Sequence, residues 1–134
     1  AIHSGFKQSK EKLTNRMLKA MENRFVNILA HPTGRLMGVR PPYELDFDRI
    51  FKFAKETKTS LEINSYAERL DLDDINSRRA KESGVRLAIG TDAHIIDHLS
   101  AMVLGVSVAR RAWLTKVDVI NALPIEDLLK FLKK

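Results

Sequence analysis

The chain has 134 residues, 44% apolar and 30% charged, which excludes a disordered chain and gives length enough for one core. It has no cysteine, so a disulfide or thiolate metal ligand is excluded and any metal must be held by nitrogen and oxygen. The formal net charge of +6 suits an anionic partner such as nucleic acid, while no apolar run is long enough to span a membrane. The first residues, AIHSGF, carry neither a starting Met nor a leader-like apolar stretch, so a cytoplasmic protein is expected, either trimmed or part of a longer one.

The first predicted element is a helix over 10–23, with Leu13, Met17, Ala20 and Met21 on one stripe. FVNILA (25–30) reads as a short buried strand that stops at His31-Pro32, because Pro32 discourages helical geometry at His31. The loop 31–42 that follows, HPTGRLMGVRPP, is longer than an ordinary connection. A second helix is expected over 46–57, with Phe47, Ile50, Phe51 and Ala54 on one face. SLEI (60–63) is a second strand, and 72–82 a third helix entered through an acidic stretch able to cap it. RLAIG (86–90) is a third strand, TDAHIIDHLS a loop, and 99–112 mostly helix despite Gly105. VDVI (117–120) is a short strand or a turn, and Pro124 opens a last helix striped by Ile125, Leu128, Leu129 and Leu132. Alternating strands and helices predict an α/β fold of parallel strands with crossover helices.

Chemically able residues fall where these strands end. His31 follows the first strand, Glu62 and Asn64 close the second, and Asp92 and His94 follow the third. In a parallel sheet such positions share one rim, where ligands bind. His31 is a metal ligand, a general base, or a turn-capping imidazole beside Pro32. Asp92 and His94 offer one carboxylate and one imidazole to zinc, manganese or iron, or form an Asx turn with an incidental histidine. Glu62 and Asn64 share the strand face opposite Leu61 and Ile63, and a structural and a functional reading stay open for them. Arg35 can pair with phosphate or stand solvated in its loop. Arg40, Arg69, Arg78 and Arg79 can widen a basic surface, and His98 reads as a cap. A phosphate-binding GxxxxGK[ST] loop, a G-x-S-x-G elbow and an HExxH helix are all missing.

The blocks AHPTGR, LEINS and GTDAH resemble the later motifs of the PHP superfamily of metal-dependent phosphoesterases. With IHSGFKQS at 2–9, MVLGVSVARRAWLTK at 102–116 and the tail VINALPIEDLLKFLKK, the whole chain is similar to the C-terminal PHP domain of bacterial and archaeal family X DNA polymerases. The resemblance implies the C-terminal portion of a distorted seven-stranded βα barrel, with residues 1–134 a partial phosphoesterase domain. It implies divalent metal ions, manganese or zinc first and magnesium or iron next. His3 and His31 match two metal-binding histidines, and Asp92 and His94 match an aspartate and a histidine on the other ions. Arg35 matches a motif arginine near phosphate, while no ligand role is implied for Glu62 or Asn64. The family's H-x-H motif and remaining acidic ligands have no counterpart here. The upstream half of the barrel and the polymerase domain are therefore expected outside this chain, with self-association or pairing with that missing half covering an open sheet edge. The implied activity is 3'-5' exonuclease or 3'-end processing of DNA in repair, with DNA bound through the parent protein and the isolated chain weak or inactive. Two alternatives stand beside it: a PHP-type phosphatase for a small phosphate ester, and a non-catalytic structural or binding module.

Overall fold

The computed structural model describes residues 1–132, so Lys133 and Lys134 at the end of the tail lie outside the described residues. Among the described residues five α-helices form: α1 Lys10–Met21, α2 Phe47–Glu56, α3 Asp74–Glu82, α4 Met102–Arg111 and α5 Ile125–Leu132. Three strands, β1 Ile28–Leu29, β2 Ser60–Asn64 and β3 Leu87–Gly90, make one parallel sheet in the order β1-β2-β3. Side-chain caps start the first three helices: Ser9 accepts from the Lys12 N–H, Asp46 from that of Arg49, and Asp73 from that of Asn76. The acidic entry to α3 thus acts through Asp73.

The core lies between one face of the sheet and the helices. Leu61, Ile63 and Leu87 meet Leu13, Met17 and Met21 of α1 and Ile50, Phe51 and Ala54 of α2 there. Each large side chain buried this way contributes about 2 kcal/mol. Gly105 lets α4 pack directly on the sheet, because a Cβ there would stand 2.0 Å from Ser65 Oγ and 2.7 Å from Ile89 Cγ2. Helix interiors disfavour glycine, and this close approach explains its presence. The helix itself begins later than expected, since Ile96–Ala101 is a 3-10 turn.

The expected portion of a seven-stranded βα barrel is not what forms. Helix predominates, and the three strands make an open sheet that is neither curled nor closed. Alternation of strand and helix dictates parallel direction but says nothing about closure, which needs strands of matched length and stagger. Here β1 offers only two residues to the ladder. Its expected first residues go instead into a turn, in which the Phe25 N–H donates to Asn23 Oδ1 and the Val26 N–H to the Asn23 carbonyl. The outer edge of β3 is blunted by side-chain mimicry: the Asn121 amide accepts from the Ile89 N–H (2.8 Å) and donates to the Ile89 carbonyl (2.9 Å). The segment read as strand or turn at 117–120 adds one parallel bridge, Leu87 to Val119, before a 3-10 turn. Among the described residues no helix is long and apolar enough to cross a membrane.

Candidate functional site

His31 and Asp92 occupy equivalent places. Each lies two residues beyond a strand end, Leu29 or Gly90, and each has φ +53°. A non-glycine residue in the left-handed region costs about 1 kcal/mol or more, and such positions cluster where a side chain must be aimed.

At His31 the surroundings hold that conformation from both sides. The backbone N–H donates to Glu62 Oε2 at 2.8 Å, and the Tyr43 hydroxyl donates to the His31 carbonyl at 3.1 Å. The residue is only 5% exposed. Its Nδ1 lies 3.3 Å from Asn64 Nδ2 and 3.5 Å from Glu62 Oε2, so it can accept from the amide or donate to the carboxylate. The second choice frees the Nε2 lone pair, which faces Asp92 Oδ2 at 3.8 Å. The His3 ring approaches edge-on, with ring centroids 5.1 Å apart. Burial, seconded by the positive charge of Arg69, pulls the His31 pKa down to about 4. At neutral pH the imidazole is therefore uncharged.

The loop after β3 is looser. Asp92 Oδ2 pairs with Arg69 Nε at 3.4 Å, on a side chain 26% exposed. His94 is exposed, with Nδ1 2.6 Å from the Asp92 carbonyl, so Nε2 is its available nitrogen. His98 Nδ1 accepts from the His94 N–H at 3.4 Å, and its ring lies 5.3 Å from that of Tyr66.

The rim arginines divide by what they touch. Arg35 does not project to solvent. Its Nε donates to the Arg69 carbonyl at 2.5 Å, one terminal nitrogen donates to the Leu70 carbonyl, and the other pairs with Asp73 at 3.8 Å. Arg40 donates from Nε and a terminal nitrogen to the Gly34 carbonyl, and its guanidinium lies over the Phe6 ring. For the guanidinium of Arg69, the described residues provide the Asp92 pair alone.

Sequence reasoning missed Asp71. This fully buried carboxylate accepts from the Thr33 N–H, the Thr33 hydroxyl and the Gly34 N–H, which locks the start of the loop after His31. Burial raises its pKa against those hydrogen bonds. Glu62 is likewise pushed up by burial, opposed by the His31 N–H. The only signal for Asp71 was an acid between two leucines in LDLDD. Tyr43 was also missed. Its ring fills the space beside Gly34, which has φ +60° and whose Cβ, if present, would stand 2.2 Å from Tyr43 Cε1.

Among the described residues no group of three or more histidine or acidic side chains is gathered closely enough to hold a metal ion. The donors still suit one in kind: a buried neutral imidazole, a facing carboxylate, and two further histidines, His3 and His94, beside them. They fit a metal centre as a partial set.

No family model matches the chain. Over all 134 residues it is 43% identical to the DNA polymerase/3'-5' exonuclease PolX of Bacillus subtilis (strain 168), of which it spans 24%. It is 28% identical over 130 residues to a probable phosphatase of Thermoanaerobacter sp. (strain X514), covering 92% of this chain and 50% of that protein. A probable phosphatase of Caldanaerobacter subterraneus subsp. tengcongensis is 35% identical over 91 residues, 63% of this chain and 34% of its own length. The chain thus spans about a quarter to a half of the relatives it matches. Homology along its whole length links it to a family X DNA polymerase.

Proposed function

We propose that this chain supplies part of a metal-dependent phosphoesterase site that processes DNA 3' ends in a repair polymerase of the family X type. The observation that carries this reading is the convergence of His31 and Asp92, with His3 beside them, at the ends of strands far apart in sequence. Full-length similarity to a protein named as a 3'-5' exonuclease supports DNA as the substrate, as does the +6 net charge. The chain acts as a partial PHP-type domain in a cytoplasmic protein, and further ligands come from outside these residues.

His3, His31, Asp92 and His94 would hold divalent cations, manganese or zinc by the mixture of imidazole and carboxylate. Such cations supply Lewis acidity at the phosphate and lower the pKa of water. The chain's own contribution is preorganisation. Glu62 and Tyr43 fix the His31 backbone, and Glu62 accepts from the Nδ1–H when Nε2 serves as a ligand. Arg35 acts through the loop it holds, keeping residues 69 and 70 in place behind Asp92. By itself the chain is expected to be weakly active or inactive, since two rim donors and two flanking histidines are an incomplete set.

The test is manganese-dependent hydrolysis of a single-stranded DNA 3' end by the complete native protein and by its Asp92→Ala variant. The variant is expected to lose at least about a hundredfold in rate, in the range typical of metal-centre substitutions. Equal rates would refute the assignment. A second reading, hydrolysis of a small phosphate ester, is favoured by the relatives named probable phosphatases. Faster turnover of a small ester such as p-nitrophenyl phosphate than of DNA would select it.

A further inference from the structure

We propose that Arg69 binds the substrate's phosphate and that the adjoining rings of Tyr66 and His98 form a wall against which the attached base packs. This deepens the phosphoesterase reading and rests on it. The residues line one open pocket of about 310 Å3 together with Leu36, Glu68, Asp92 and His94.

Elimination among the part-buried arginines carries the first half. Arg35 spends its donors on two backbone carbonyls and Asp73, and Arg40, bonded to the Gly34 carbonyl with its guanidinium over the Phe6 ring, does not line the pocket that holds Asp92. Arg69 differs. Its side chain is only 18% exposed, yet only Nε is engaged, by Asp92 at 3.4 Å. Its terminal nitrogens have no hydrogen-bond partner among the described residues. A guanidinium held at one edge by a carboxylate keeps its other edge for a second planar or tetrahedral anion, and phosphate matches that fork. The backbone that carries this side chain is also anchored. The Arg69 N–H donates to the Tyr66 carbonyl at 2.8 Å, and its own carbonyl accepts from Arg35 at 2.5 Å. A lone surface arginine carries no such support.

The second half follows from the rings. Tyr66 and His98 lie 5.3 Å apart at 57°, both half-buried and both lining the pocket that holds Arg69. Base–aromatic stacking tolerates any base and needs only an accessible ring face. Phosphate and base together describe a nucleotide at a strand end rather than a phosphate on an aliphatic carbon.

Thymidine 5'-monophosphate and inorganic phosphate are suitable probes, titrated calorimetrically into the complete native protein, with manganese binding measured separately. Arg69→Gln is expected to weaken both phosphate probes by about tenfold or more, the loss of one charge-assisted bidentate contact. Manganese affinity should hold or tighten, because Asp92 loses its internal partner. Arg69→Lys preserves the charge and pairing with Asp92, and should still weaken the nucleotide by about threefold. It also serves if the glutamine variant fails to fold. Tyr66→Leu should weaken the nucleotide and leave inorganic phosphate unchanged. The proposal is overturned if the native protein binds neither probe, if both arginine variants bind the nucleotide like the native protein, or if Tyr66→Leu weakens both probes equally. Absence of manganese binding with Arg69-dependent nucleotide binding intact would instead remove the phosphoesterase reading and keep the anion site.

Discussion

The loops after β1 and β3 present matching residues on unlike supports. His31 and Asp92 share a left-handed backbone two residues past a strand end. Around His31, however, four side chains brace the loop: Glu62, Asn64, Tyr43 and Asp71 all bond to the segment 31–34 or its ring. After β3 the chain passes through exposed Ile95 and Ile96, and His94 is held mainly by its neighbour's carbonyl. One half of the rim is preorganised by the fold, and the other is exposed. The proposed function accommodates this asymmetry, since the buried half can be set within the chain while an exposed half can be completed by ligands from outside it.

The comparison breaks most visibly at Asp71. Asp71→Ala strands the Thr33 and Gly34 N–H groups in a buried place, and should cost about 2–4 kcal/mol in a urea titration. A loss below about 1 kcal/mol would mean the loop after β1 is no better held than the loop after β3.

A smaller effect sharpens the same contrast through pH. His31 has a pKa of about 4 when folded, below the ordinary 6.5. Between those values the unfolded chain binds more protons, so this histidine makes the metal-free protein less stable as pH falls from 6.5 toward 4. Its contribution should be about 1–2 kcal/mol after solvent screening. Glu62 and Asp71, whose carboxyls burial pushes up, act in the opposite sense. The difference between native protein and His31→Asn isolates the histidine. Thermal unfolding at pH 7 and pH 5 should show a larger drop for the native protein, and equal drops would place His31 in water-like surroundings.

Much of the scaffold was legible because local physics governs it. Periodicity found α1 and α2, Asp73 capped α3 as the acidic entry implied, and His31, Asp92 and Asn64 stood at strand ends. What was illegible depended on contacts distant in sequence. Nothing local distinguishes Asp71 from Asp73, yet one holds Thr33 thirty-eight residues away and the other caps a helix. Arg35 reads as a phosphate arginine after a Thr-Gly pair, but carbonyls at positions 69 and 70 claim it first. Closure of the sheet failed for a similar reason, because alternation specifies direction while strand length is settled by turns such as that at Asn23.

The most direct measurement is manganese titration of the complete native protein followed by histidine side-chain NMR, alongside Asp92→Asn. The account predicts that the His31 resonances broaden first in the native protein, and that Asp92→Asn shifts the midpoint to at least about tenfold higher manganese. Broadening that leaves His31 untouched, or a midpoint unmoved by Asp92→Asn, would contradict it.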